Sequence, residues 1–251
     1  MDIINKKFFS STNTPVIEQS EYDKVEILKE TCEALSRMCN ESIYIIDYSK
    51  QEFFFVSSHP LFLCGYTSEE VLEMGYDFFE KVFSSEDLER TLEMNRLGWQ
   101  LFYEATPEER INVLVSDDVY LHHKNGTKIL ANYKISPIRL TKEGNIWLAL
   151  CVFNYSPNKK TNNIVFTIKD RMEYYTYDSN KKQIFRYYPL KLTMREKEIS
   201  LLIIRGYDTE TIAKILKVSP YTIKNHRANI ERKLNGSNLF NVATMPYSIL
   251  V

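Results

Sequence analysis

The stretch SPYTIKNHRANIERKL, Ser219 to Leu234, decides how the C-terminal part of the chain folds. It opens as a capped helix: Ser219 offers a side-chain oxygen to the first turn, and Pro220 takes the first helical position, where a missing N–H loses no partner. Ile223, Ile230 and Leu234 fall close to one face, so that face packs inward. The remaining surface carries Lys224, Asn225, His226, Arg227 and Asn229, and its only acid, Glu231, comes near the end. A surface helix that is merely solvated usually mixes both signs of charge along its length. This one is basic and amide-rich.

Two helices precede it. Thr193 and Glu196 form a capping box ahead of Ile199, Leu202 and Ile203, and Gly206 stands where that helix ends in the left-handed region. Asp208 caps a second helix over Thr209 to Leu216, with Ile212, Ala213 and Leu216 facing inward. The short connection Lys217 to Pro220 makes the second and third helices a helix-turn-helix, whose third helix presents Thr222, Lys224, Asn225 and Asn229 outward. These are the groups a major groove takes: lysine donates to guanine O6 and N7, asparagine pairs with adenine, and hydroxyls hold phosphate. Caps, turn, inward apolar positions and outward donors all agree.

The run LTMREKEISLLIIRGYDTETIAKILKVSPYTIKNHRANIERKLNGSN resembles, over nearly its full length, the LuxR-type DNA-binding domain. Leu192, Thr193, Arg195, Glu196, Glu198, Gly206, Ile212, Ala213, Ser219, Thr222, Lys224, His226, Lys233 and Leu234 carry the match. The resemblance implies that Lys224 and Asn225 approach base edges and that Ala228 touches a thymine methyl. It also implies that Ser219, Thr222, His226 and Asn229 hold backbone phosphates; a second reading of His226 is as a buttress between helices. Two positions depart from the pattern: Thr211 stands where glutamate is usual, weakening a capping box, and Ser200 replaces a usual leucine, thinning the core. After Asn238, LFNVATMPYSILV permits only a short fourth helix before Pro246, which puts in doubt the dimer contact that this helix supplies in relatives.

Charge divides the chain in the same place. The 251 residues have a formal net charge of −1, but Lys191 to Asn238 holds ten bases and five acids, a local +5 that leaves −6 for the rest. Nucleic-acid affinity must therefore come from a local patch. Cys32, Cys39, Cys64 and Cys151 form neither a CxxC pair nor a disulfide framework, so a reducing compartment and no metal are expected. The N-terminus lacks an apolar h-region, and no run approaches the roughly 18 apolar residues of a spanning helix. A cytoplasmic protein with no membrane partner follows.

Further upstream, residues 1 to about 20 read as a loose polar arm. Val25, Leu28, Cys32, Leu35 and Cys39 then recur three or four apart on an amphipathic helix, covered either by its own domain or by a second copy. SIYIID (Ser42 to Asp47) and EFFFVS (Glu52 to Ser57) read as paired strands, and Thr67 with Glu70 caps a short helix. A longer helix runs from Ser84 or Ser85 towards Phe102. Val113 to His123, Lys128 to Ile138 and Ile146 to Tyr155 follow as antiparallel strands around Lys124-Asn125-Gly126, a type I′ signal, and Glu143-Gly144-Asn145. The order is that of an α+β layer.

CGYTSEEVLEMGYDFFEKVFSSEDLER looks like the helical middle of a PAS domain, and HHKNGTKILANYKISPIRLTKEGNIWLALCVFNYS looks like its last three strands. The expected organisation is an arm and amphipathic helix over 1–40, a PAS-like sensor over 41–157, a linker over 158–190 and the LuxR-type unit over 191–251. Within the linker, Ile164 to Ile168 and Gln183 to Tyr188 flank YTYDSNKK as a hairpin, or pack their tyrosines as an extended segment.

Catalysis finds no support in the motifs: there is no P-loop, GxSxG elbow or HExxH, and Asp117 and Asp118 on one strand face opposite sides. His122 and His123 alternate likewise, one towards the interior, where it either packs or meets a ligand. Phe53, Phe54, Phe55, Phe62, Phe78 and Phe79 read as core before they read as a cofactor box. The expected function is a regulator that binds double-stranded DNA, as a homodimer, under control of a small molecule or partner sensed by the PAS-like part; the cofactor is unknown. The rival is a PAS interaction module that does not bind DNA.

Overall fold

In the computed structural model, which describes residues 7–9, 14–161, 163–171, 173–178, 181–188 and 192–233, the apolar runs pair into one antiparallel sheet. Its strands are β1 (Ser42–Asp47), β2 (Glu52–Val56), β3 (Val113–His122), β4 (Lys128–Leu140), β5 (Ile146–Tyr155), β6 (Val165–Ile168), β7 (Tyr174–Asp178) and β8 (Gln183–Tyr187), in the order β2-β1-β5-β4-β3-β6-β7-β8. Helices α1 (Gln19–Val25) and α2 (Ile27–Cys39) precede β1, and α3 (Pro60–Leu63), α4 (Ser68–Met74), α5 (Phe78–Val82) and α6 (Ser85–Glu104) lie between β2 and β3. The C-terminal helices are α7 (Met194–Ile204), α8 (Thr209–Leu216) and α9 (Pro220–Lys233). The class is α+β, with a PAS-like sheet and an all-α C-terminal unit.

Every residue of β1 is buried because both faces of the sheet are covered. Tyr44 and Ile46 point to the core under α3 to α6, while Ile43 and Ile45 join Tyr22, Val25 and Cys32 of α1 and α2 on the other face. Alternation along one strand thus serves two cores. Tyr22 Oη donates to Asp47 Oδ2 at 2.7 Å, and Asp47 Oδ1 accepts from the backbone of Ser49 and Lys50, which closes the turn into β2. The amphipathic helix therefore packs on its own sheet through Val25 and Cys32, whereas Leu35 and Cys39, assigned to the same stripe, are exposed.

The capping signals place the helices. Thr67 and Glu70 bond reciprocally at the start of α4, and Ser84 accepts from Asp87 N at the start of α6. The Asn-Gly turn differs in type from the expected I′: in this turn only Gly126 has a positive φ (87°), and Gly126 N bonds to His123 O. A type I turn followed by a left-handed glycine gives the three-residue loop, closed by His123 N to Thr127 O. Thr141 to Asn145 repeats the pattern around Gly144.

Three readings are corrected. Lys7 to Phe9 is helical, and Phe8 and Phe9 are buried in the main core, so the first 20 residues are not uniformly a loose arm. Val165–Ile168 and Gln183–Tyr187 do not pair with each other: Tyr174–Asp178, read as part of the turn, is a strand between them. The stretch taken as a linker also extends the sheet, because β6 pairs with β3 through Val113↔Ile168 to Ser116↔Val165. The expected fourth C-terminal helix and Leu234 lie outside the described residues.

Asp117 and Asp118 are both fully buried and diverge as alternation requires. Asp118 accepts from the side-chain amides of Asn132, Asn158 and Asn163, pinning the segment that leaves β5. Asp117 lies 3.7 Å from Arg90 and accepts from Asp118 N. Burial pushes its carboxyl up to about 7; Arg90 opposes this, while the charges of Asp118 and Asp87 add to it. The folded state then holds this proton more tightly than the unfolded chain does, so stability falls as pH rises from about 4 to about 7 and levels off above. Asp117→Asn is expected to remove that decline in thermal denaturation at stepped pH. Equal slopes for the two proteins would contradict it.

Candidate nucleic-acid interface and aromatic cavity

Three short helices hold one another through a small apolar centre. Leu192, Ile199, Leu202 and Ile203 meet Ile212 and Ala213 of α8 and Ile223 and Ile230 of α9, and Val165 and Tyr174 of the sheet join the same cluster. The unit therefore rests on β6 and β7, with Tyr187 of β8 stacked on Tyr174 at 5.4 Å. Ser200, expected to thin this core, is fully buried and donates to Glu196 O at 2.8 Å, so its hydroxyl is satisfied within α7.

Polar links fix the ends of each helix. Thr193 and Glu196 make the expected capping box, Asp208 accepts from Thr211 N at 2.8 Å, and Ser219 accepts from Thr222 N at 3.1 Å. With threonine at 211, the second cap consists of the Asp208 side chain bonded to backbone. Lys233 Nζ reaches Glu196 Oε2 at 2.6 Å, joining the end of α9 to the start of α7. Burial works against the charge of Glu196, but the hydrogen bonds from Lys233 and Thr193 outweigh it and hold the carboxyl below its usual range. Arg227 donates to Thr209 Oγ1 at 3.2 Å and Arg195 to Leu216 O at 3.2 Å, tying α9 and α7 to opposite ends of α8. The third helix is tied to its neighbours at its middle and at its end. Such anchoring lets α9 present its outer face in one orientation.

That face is a continuous stripe. Tyr221, Lys224, Asn225, Ala228, Asn229 and Arg232 are all exposed, at the i, i+3, i+4, i+7, i+8, i+11 spacing of one helical side. Ile223 and Ile230 occupy the buried side, and the first turn contains no acid. Of the residues singled out from the sequence, Lys224, Asn225, Ala228 and Asn229 lie on the stripe and Ser219 is exposed at its start. Thr222 and His226 are half-buried along its flank. Ser219 and Thr222 hydroxyls bond each other at 2.8 Å. Tyr221, 73% exposed, and Arg232, whose guanidinium reaches Asn229 Oδ1 at 3.4 Å, extend the stripe at either end. The sequence held the signal for both in their spacing from Lys224 and Ala228.

The sheet borders a second feature. Between its inner face and α6 lies a cavity of ≈ 100 Å³ whose walls include Tyr44, Tyr48, Tyr76, Trp99, Tyr133 and Phe153. Lining residues come from strands, helices and the Phe8-Phe9 pair, and none carries a formal charge. Among the suspected aromatics, Phe79 lines it; Phe53, Phe62 and Phe78 fill the core beside it, and Phe54 and Phe55 pack on the opposite face. His122 and His123 do not line it; His123 Nδ1 instead accepts from Asn125 N at the turn. Among the described residues, no group of three or more histidines, cysteines or carboxylates could hold a metal, and no helix is long and apolar enough to cross a membrane.

Residues 190–246 match the family of bacterial regulatory proteins, luxR family. An Aeromonas salmonicida protein named as an HTH-type transcriptional regulator in the exeN 3′ region is 40% identical over 55 residues, 21% of this chain. The matched part spans only 28% of that relative's length. Among solved structures, the chain is similar to VqmA bound to DPO (14% identity, 86% of this chain and 84% of that one, TM-score 0.35). It is also similar to a Vibrio cholerae VqmA dimer (15% identity, 88% and 92%, TM-score 0.36). At those scores the fold rests on the topology and the family match. The C-terminal part is a LuxR-type helix-turn-helix unit.

Proposed function

We propose that the chain is a sequence-specific transcription regulator in which residues 191–251 bind double-stranded DNA and residues 41–157 sense a small molecule. The observation that carries this is the exposed stripe of α9, donor-bearing and free of acid in its first turn, on a helix tied to its neighbours at its middle and its end. In the major groove, Lys224 and Asn225 address base edges and Ala228 meets a thymine methyl. Ser219, Thr222, His226 and Asn229 hold phosphates on either side. The sensor reading is supported by the aromatic cavity, and its route to DNA by the sheet itself. β6, paired to β3 of the cavity wall, contributes Val165 to the core of the helical unit.

A second copy of the chain completes the reading. Ile27, Leu35 and Met38 leave exposed apolar surface on α2, beside the face already packed on the sheet, and paired half-sites on DNA call for paired subunits. The four cysteines are free, as suits work in the cytoplasm.

Selection from a random duplex pool by the full-length chain tests the proposal. Successive rounds are expected to enrich one motif with two related halves, and its capture is expected to weaken steeply as salt rises. A pool that stays random after selection would overturn it.

A further inference from the structure

One side of the cavity is closed by the chain's own N-terminal segment, through Phe8 and Phe9. Phe8 and Phe9 belong to none of the helices or strands that form its walls, yet they are only 8% and 5% exposed. The Phe8 ring packs on Tyr76 and Phe79 at 5.0 and 5.1 Å, and the Phe9 ring on Tyr76 and Tyr48 at 4.8 and 5.4 Å. Asn95 Nδ2 of α6 donates to Phe8 O at 2.6 Å, latching the backbone in place.

These rings border the space without matching its polarity. Tyr76 Oη and Trp99 Nε1 are buried and have no hydrogen-bond partner among the described residues, although both residues line the cavity. Phenyl rings cannot supply that partner, and a buried polar group without one costs free energy. A charged ligand would find no counter-charge, because neither a basic nor an acidic side chain lines the space. The preponderance of aromatic walls favours a flat molecule.

We infer that Phe8 and Phe9 are a displaceable internal plug. The ligand that replaces them is a neutral, planar small molecule with a hydrogen-bond acceptor for Trp99 Nε1–H and Tyr76 Oη–H. This rests on the sensor reading above and adds both the class of ligand and the element it expels. The plug precedes α1 and α2 in the chain, whose Tyr22, Val25 and Cys32 cover the sheet's other face.

The test uses the ¹⁵N-labelled full chain, whose two tryptophans give two indole N–H signals, assigned with Trp147→Phe. Acetophenone is the probe with an acceptor, cumene its near-isostere without one, and benzoate the charged control. Acetophenone is expected to shift the Trp99 indole resonance downfield, while cumene leaves it in place and binds more weakly, and benzoate does not bind. With the plug removed in Phe8→Ala/Phe9→Ala, or unlatched in Asn95→Ala with both rings intact, acetophenone is expected to bind about tenfold more tightly, since closed molecules no longer compete. Equal affinity in wild type and both variants would refute the plug. Equal binding of acetophenone and cumene without an indole shift would refute the ligand class. Failure of every probe on every variant would remove both, together with the sensor reading, whereas DNA capture by the same preparations reports separately on the regulator.

Discussion

Ile223→Ala is expected to unfold the three C-terminal helices while the sheet that carries them stays folded. Ile223 has no exposed surface and sits where α7, α8 and α9 converge with Ile199, Ile212 and Ile230. Truncating a buried isoleucine costs about 2–5 kcal/mol, because the transfer energy of the lost carbons is joined by that of the cavity left behind. A unit of about 40 residues has only about 2–6 kcal/mol of stability to lose, at the usual range per residue. The substitution therefore removes most or all of it. Hydrogen exchange read by peptide is the measurement: protection over 194–233 should collapse while protection over 113–155 persists. Retained protection in α9 would mean that contacts with β6 and β7 hold these helices more firmly than their shared core does.

Lys224→Ala is expected to act in the opposite manner, leaving the fold intact and weakening discrimination between sequences. Lys224 is exposed in the middle of the stripe and contributes nothing to the buried cluster. A good side-chain contact to a base edge is worth about 1–3 kcal/mol against the wrong base. That corresponds to a loss of about 5- to 150-fold on the preferred duplex, with a much smaller loss on a scrambled one. Arg227 makes a useful contrast, since its bond to Thr209 marks it as a brace between helices.

Local chemistry made most of this legible. Thr67, Ser84, Thr193, Asp208 and Ser219 cap the helices they were expected to cap, because an N-cap is decided within four residues of chain. The spacing of Ile223 and Ile230 likewise identified the buried side of α9. What escaped depends on distant partners. Tyr174–Asp178 lacks a clean apolar alternation and is a strand because β6 and β8 flank it, and β6 in turn because β3 offers an edge. Phe8 and Phe9 sit in a polar setting, and only Tyr48, Tyr76 and Phe79, brought together by the sheet and its helices, make them core residues. The cavity is invisible in the sequence for the same reason. Its walls converge only after folding.

The most direct measurement is the affinity of the full chain and of Lys224→Ala for the selected duplex and a scrambled one, from about 50 to 200 mM salt, a range over which phosphate-bound proteins lose affinity by orders of magnitude. If α9 lies in the major groove, the wild type should prefer the selected duplex, its affinity should fall linearly on logarithmic axes, and the variant's preference should shrink by about 5- to 150-fold. Binding that ignores salt, or a preference that survives the loss of Lys224 undiminished, would contradict that placement of the helix.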